Sequence, residues 1–138
     1  MNATDCGDSG RQPPVPWRLS DVLADLERDG EWEFVRDVID TFLRDVATLL
    51  ERMRKAAAGA DLATLAACCH TLKGSAPVLN ADRLAELSRE IEQHAASRKQ
   101  WDYLAMIDQL DLAFQEVREA MISHEAGDYV DGGNVSVS

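Results

Sequence analysis

The stretch FLRDVATLLERMRKAAAGADLATLAACCHTLKGSA, Phe42 to Ala76, holds two apolar periods of helical spacing on either side of Gly59-Ala60-Asp61. Upstream, Val35, Val38, Ile39, Phe42, Val46, Leu49, Leu50 and Met53 recur as one stripe of an amphipathic helix. Gly59 is placed to end that helix and Asp61 to cap the next. Downstream, Leu62, Leu65, Ala66, Cys69, Leu72 and Ala76 form a second stripe. Two long helices joined by so short a turn lie antiparallel, and each still has an apolar face to cover.

The rest of the chain supplies the cover. Pro77 to Asn80 breaks the period, after which Ala81, Leu84, Leu87 and Ile91 begin a new stripe. Ser97 and Gln100 fit a capping box ahead of a last helix carrying Leu104, Ile107, Leu110, Phe114, Val117 and Met121. A short helix from about Ser20 to Glu27, capped by Ser20 and closed by Asp29-Gly30, precedes the four long ones. Between the leader and the tail there is no Asn-Gly hairpin signal and no period-2 alternation, and the chain shows no internal repeat. The expected fold is therefore all-α: an antiparallel up-and-down four-helix bundle with a short additional N-terminal helix. Residues 1–16, with Gly7, Gly10, Pro13, Pro14 and Pro16, read as a flexible leader, residues 17–123 as the bundle, and residues 124–138 as a disordered tail.

Composition narrows the function classes. A chain of 138 residues, 46% hydrophobic and 28% charged, suits one globular domain with a genuine core. Its net charge of −11, from 25 acidic against 14 basic residues, argues against nucleic acid and against an anionic membrane surface as partners. No apolar run is long enough for a signal peptide or a membrane span. The cysteines are odd in number, with Cys68 and Cys69 adjacent and Cys6 in the leader, which fits reduced thiols and a cytoplasmic location. No Gly-rich phosphate loop, GxSxG elbow or kinase motif is present, so the chain is expected to have no ATP site and not to be an enzyme on its own. No metal site is expected either. Cys68, Cys69 and His70 point about 100° apart on a helix and cannot converge on one ion, and His94 and His124 lie too far along to help. His94 reads as a boundary residue and His124 as a solvated one.

His70 stands at the solvent edge of its helix, with Ala66, Ala67, Lys73 and Gly74 one turn away on the same face. Three of those four are Ala or Gly, so the ring sits on cleared ground beside a single cation. Gly74 costs the helix roughly 1 kcal/mol relative to Ala, and close approach of another surface is one reason to carry that cost. A neutral exposed imidazole is a nucleophile, and a lysine beside it can neutralise a phosphoryl group. Helical geometry alone leaves the alternative open: most lone histidines on helices are ordinary surface residues.

The segment HTLKGSAPVLNADRLAELSREIE, His70 to Glu92, resembles the core of the histidine phosphotransfer (HPt) domain of two-component relays. That family runs His-x-Leu-Lys-Gly-Ser/Ala ahead of a second amphipathic helix, and the resemblance extends from about Trp32 to Met121. It implies that His70 accepts a phosphoryl group on Nε2, that Lys73 steadies the group, and that Gly74 leaves room for the partner. Ser75 matches the family's small residue. Glu92 matches a Glu/Gln position that, in the chemotaxis-kinase branch, hydrogen-bonds the other ring nitrogen. The chain reverses near Leu79, which sets His70 and Glu92 roughly level on neighbouring helices with their side chains tilted together. Two positions depart from the pattern: Asn80 stands where glycine is usual, and Pro77 where Ser or Ala is commoner.

The resemblance further implies a carrier that takes a phosphoryl group from the aspartyl-phosphate of one receiver domain and passes it to another. Its partners would be response-regulator receiver domains and/or a hybrid histidine kinase, with no cofactor of its own and Mg²⁺ on the receiver. Docking would use Ala66, Ala67 and Ser75, joined by the first helix through Leu19, Val22, Leu23 and Leu26. Nothing in the sequence demands more than a monomer. Two other readings stand beside it: a phosphoacceptor input domain of a chemotaxis-type histidine kinase, and a bundle that binds receivers without transfer.

Overall fold

A computed structural model describes residues 17–126 of the chain. Its helices are α1 (Asp21–Arg28), α2 (Trp32–Ala58), α3 (Leu62–Ser75), α4 (Asp82–Ala96) and α5 (Tyr103–Glu125), with a 3₁₀ turn at Ala76–Leu79 between α3 and α4. Among the described residues there is no strand. Each of α2 to α5 packs on its neighbours in chain order, and α5 closes the ring against α2. Every long helix contributes fully buried side chains to one core: Ile39 and Met53, Leu65 and Leu72, Leu84 and Ile91, Ile107 and Leu110. The four-helix bundle expected from the apolar periods is the observed one.

Four turns between helices use the same device. A residue in the left-handed region follows three of the C-caps, Gly30 (φ 93°), Ala60 (57°) and Arg98 (57°), and Asn80 (58°) is itself the C-cap of the 3₁₀ turn. The next N–H then bonds back into the last helical turn, from Glu31 to Leu26, Asp61 to Ala56, Ala81 to Ala76 and Lys99 to His94, at 2.8–3.0 Å. Gly59 is the C-cap of α2 at φ −95°, so the left-handed position falls one residue later, on Ala60. Asn80 holds the position without glycine, and its Nδ2 also donates to the Arg18 carbonyl at 2.9 Å. Pro77 sits at the start of the 3₁₀ turn, where its missing N–H costs nothing.

Two expectations about the last helix fail, each for a local reason. Ser97 does not open the last helix. It closes α4, with Oγ donating to the Gln93 and His94 carbonyls at 3.0 and 3.2 Å. Asp102 caps α5 instead, accepting from the Ala105 N–H at 3.0 Å. The intervening chain is used by Trp101, which stacks on the His94 ring at 3.7 Å and meets Tyr103 edge-on. Leu104 is consequently 43% exposed rather than core.

The apolar face of α1 is not free for docking. Leu19 and Leu23 are buried in the bundle and Leu26 is partly buried against it, which leaves Val22, 70% exposed, as the residue of the four that faces outward. The reason is that α1 lies on the end of the bundle and is tied there. Trp17 Nε1 donates to the Leu79 carbonyl at 2.7 Å, and Glu27 Oε2 lies 2.8 Å from His124 Nε2. His124, expected in solvent, is half-buried in that tie and edge-on to Trp17. Helix α5 reaches Glu125, two residues into the stretch read as tail. Burial, with Asp40 beside it, pushes the Glu125 carboxyl up to about 7. The remainder of the leader and tail, residues 1–16 and 127–138, including Cys6, lies outside the described residues.

One core position is polar without a partner. Ser88 on α4 is fully buried, and its Oγ makes no hydrogen bond. An unsatisfied hydroxyl is a net cost, so Ser88→Ala should raise stability by about 1 kcal/mol. Thermal melting checks this; a lower melting temperature would mean that the hydroxyl is satisfied by a bound water.

Candidate functional site

Helix α3 is unusual in its charge. From Leu62 to Ser75, Lys73 is the only lysine, arginine, aspartate or glutamate. The helix starts on Asp61, whose carboxylate accepts from the Thr64 N–H at 3.1 Å; hydrogen bonding from the Thr64 side chain, and after it from that N–H, holds the carboxyl below its usual range. One side of α3 goes to the core through Leu65, Cys68, Cys69 and Leu72. The other presents Ala63, Ala67, His70, Thr71 and Gly74 to solvent, with Ala66 and Ser75 partly exposed. Small residues thus flank the ring, as the helical spacing predicts. The two hydroxyls nearby turn inward rather than outward: Thr71 Oγ1 donates to the Ala67 carbonyl and Ser75 Oγ to that of Leu72.

The His70 side chain is 68% exposed, and its Nδ1 lies 3.0 Å from Glu92 Oε2 on α4. Both residues are pinned by their neighbours in sequence. Cys69 and Leu72 beside His70, and Ile91 beside Glu92, are wholly buried. The helices meet antiparallel across the 3₁₀ turn, which brings residues 22 apart in sequence to hydrogen-bond distance. Glu92 is 21% exposed and is shared: its other oxygen, Oε1, lies 2.8 Å from Lys73 Nζ. The Lys73 hydrogen bond holds the Glu92 carboxyl below its ordinary value; burial opposes this and the His70 contact adds to it.

The chemistry follows from the donor rules. An ionised carboxylate can only accept, so the Nδ1 facing it carries the proton. In the neutral form of the ring the lone pair then lies on the remaining nitrogen, Nε2, which is exposed and makes no hydrogen bond among the described residues. The geometry presents a nucleophilic nitrogen to whatever approaches the small-residue face.

The structure therefore brings His70, Lys73 and Glu92 together, with Ala66, Ala67, Gly74 and Ser75 around them. It removes Leu19 and Leu23 from the accessible surface and leaves Leu26 partly buried against the core. The Lys73 ammonium sits on Glu92, an engagement that the reading of the sequence did not include. A lysine three residues from the histidine and a glutamate level with both was the signal for that pairing. Gly74 also proves informative. A Cβ placed there meets nothing within 4 Å, so the fold itself does not require glycine. Cys68 and Cys69 are free and buried, and burial pushes the Cys69 thiol up to about 12. Among the described residues no group of three or more His, Cys, Asp or Glu could hold a metal ion, and no helix is long and apolar enough to cross a membrane.

Comparison with known proteins gives three matches. The Hpt domain family model matches residues 37–120. Multistep phosphorelay regulator 1 of Schizosaccharomyces pombe is 27% identical over 78 residues, which is 56% of this chain and 26% of that protein. The chain thus spans about a quarter of that relative's length. Among solved structures, histidine-containing phosphotransfer protein B of Pseudomonas aeruginosa PAO1 is similar at a TM-score of 0.70 and 28% identity, covering 78% of this chain and 94% of that one.

Proposed function

The chain belongs to the Hpt domain family, and on that premise we propose that it is a phosphocarrier working between receiver domains through His70. The observation that carries the proposal is the exposed imidazole tied at Nδ1 to Glu92, which leaves Nε2 as the nucleophile. In the forward step the Nε2 lone pair attacks the phosphorus of a receiver's aspartyl-phosphate, and the P–O bond to the aspartate breaks. In the return step another receiver's aspartate oxygen attacks phosphorus, and the N–P electron pair goes back to Nε2. Mg²⁺ belongs to the receiver in both. Lys73 would turn from Glu92 towards the phosphoryl oxygens as charge arrives, since a dianion is the stronger partner. Gly74, Ala66, Ala67 and Ser75 would form the floor on which the receiver sits, with Val22 of α1 at its margin. The chain would act as a cytoplasmic monomer, with receivers, including that of a hybrid histidine kinase, as its donors and acceptors, and with no ATP site of its own.

The Glu92 contact also favours a second reading, the input domain of a chemotaxis-type kinase, since a carboxylate on Nδ1 is what that branch uses. Competing donors separate the two. Phosphorylated receivers should label the chain, and Glu92→Ala should slow labelling from a receiver and from an ATP-bearing kinase domain alike. Labelling by kinase domains alone, and a larger effect of Glu92→Ala on that route, would support the input-domain reading instead.

A further inference from the structure

Given the reading that His70 accepts the phosphoryl group, we propose that Glu92 keeps the proton on Nδ1 after phosphorylation, so that phospho-His70 is held in its cationic, readily transferred form. Attack by Nε2 on phosphorus turns a neutral ring that already carries Nδ1–H into an imidazolium. That ring has two fates. If it keeps the Nδ1 proton, the next cleavage of the N–P bond expels neutral imidazole. If it loses the proton to solvent, the same cleavage must expel imidazolate, a far poorer leaving group, and the carrier becomes inert. The position of one proton therefore sets the lifetime of the carrier and its readiness to transfer.

The surroundings of the ring favour the first fate. Glu92 Oε2 accepts from Nδ1 at 3.0 Å, and the side chain is mostly shielded from water that would otherwise take the proton. The groups facing this contact are Lys73 and Cys69 from α3 and Glu92 itself from α4. The Cys69 thiol, pushed up to about 12, stays neutral and does not compete. Lys73 on Oε1 keeps Glu92 ionised before phosphorylation. Once Lys73 turns to the phosphoryl oxygens, Glu92 has lost its counter-ion and holds the Nδ1 proton more strongly. Glu92 is in this sense a positioning residue acting through His70. In onward transfer the acceptor's oxygen bonds phosphorus, the N–P pair returns to Nε2, and Nδ1–H is already in place. No proton has to move.

The test uses the whole chain labelled with phosphoramidate, a small-molecule donor that phosphorylates exposed imidazoles without any receiver. Phospho-His70 is thereby obtained even if no receiver transfers to this protein, so a failure of this inference is distinct from a failure of the carrier reading. Decay of the phosphorus NMR signal is followed from about pH 6 to 9 in the wild type and in Glu92→Gln, which keeps the shape and removes the charge. A ¹⁵N-edited spectrum reports the proton on Nδ1. The wild type should decay at a rate nearly independent of pH, with Nδ1 protonated throughout. Glu92→Gln should lose that proton as pH rises and should outlive the wild type by about tenfold near pH 8.5, the scale of a charge-assisted against a neutral hydrogen bond. Identical pH profiles for the two proteins, or an unprotonated Nδ1 in the phosphorylated wild type at that pH, would overturn the inference.

Discussion

Gly74→Gln should leave the bundle folded, slightly raise its stability, and lower phosphoryl transfer from a receiver by about 100-fold, the scale on which a displacement of about 1 Å at a reacting centre is felt. The stability half follows from helix physics. Gly74 is exposed, lies within α3 and is not at a positive φ, and an added Cβ meets no atom within 4 Å. Exchanging an interior helical glycine for a good helix former gains roughly 0.5–1 kcal/mol. The transfer half follows from position. Residue 74 is one turn from His70 on the same face, so a side chain there projects into the space a receiver must enter to bring its aspartate to Nε2. Gly74→Ala should fall between, with most of the stability gain and a smaller loss of transfer. A glutamine variant that transfers normally would show that no partner approaches over residue 74. A variant that melts lower would mean that the glycine serves the fold. Opposite signs for stability and transfer in one substitution are what distinguish a surface cleared for a partner from one that is merely permissive.

Much of the bundle was legible because the evidence for it is periodic and local. The stripes from Val35 to Met53 and from Leu62 to Ala76 needed only helical spacing to be read, and their burial follows it. Asn80 was legible as a replacement for glycine, since its side chain tolerates the left-handed conformation and adds a bond to Arg18. What was not legible depended on what a pattern faces. The stripe of Leu19, Leu23 and Leu26 is equally a docking face or a packing face; the contacts of Trp17 with Leu79 and of Glu27 with His124 decide for packing, and they link residues far apart in sequence. Ser97 with Gln100 spells a helix start, yet the left-handed Arg98 makes Ser97 a helix end, and no local rule requires an arginine to take that conformation. At the site, the exposure of His70 and its closeness to Glu92 came from helix phase and antiparallel register. The division of Glu92 between His70 and Lys73 did not, because a shift of an ångström in register would separate one of the two contacts.

His70→Gln should abolish acid-labile labelling altogether while leaving the fold and receiver binding in place. The side chain is largely outside the core, and its hydrogen bond within the described residues is with Glu92, which Lys73 continues to hold. The loss should be complete because the other two histidines are poorly placed to substitute. His94 is stacked on Trp101 with Nδ1 on the Glu90 carbonyl, and His124 is paired with Glu27. The decisive experiment incubates the wild type and His70→Gln with a panel of phosphorylated receiver domains and locates the acid-labile phosphate by mass spectrometry. Phosphate on His70 of the wild type, and on no residue of the variant, is the predicted result. A folded wild-type protein that binds a receiver yet takes label from none, or a His70→Gln variant that is labelled as well as the wild type, would contradict the assignment of His70 as the phosphoryl acceptor.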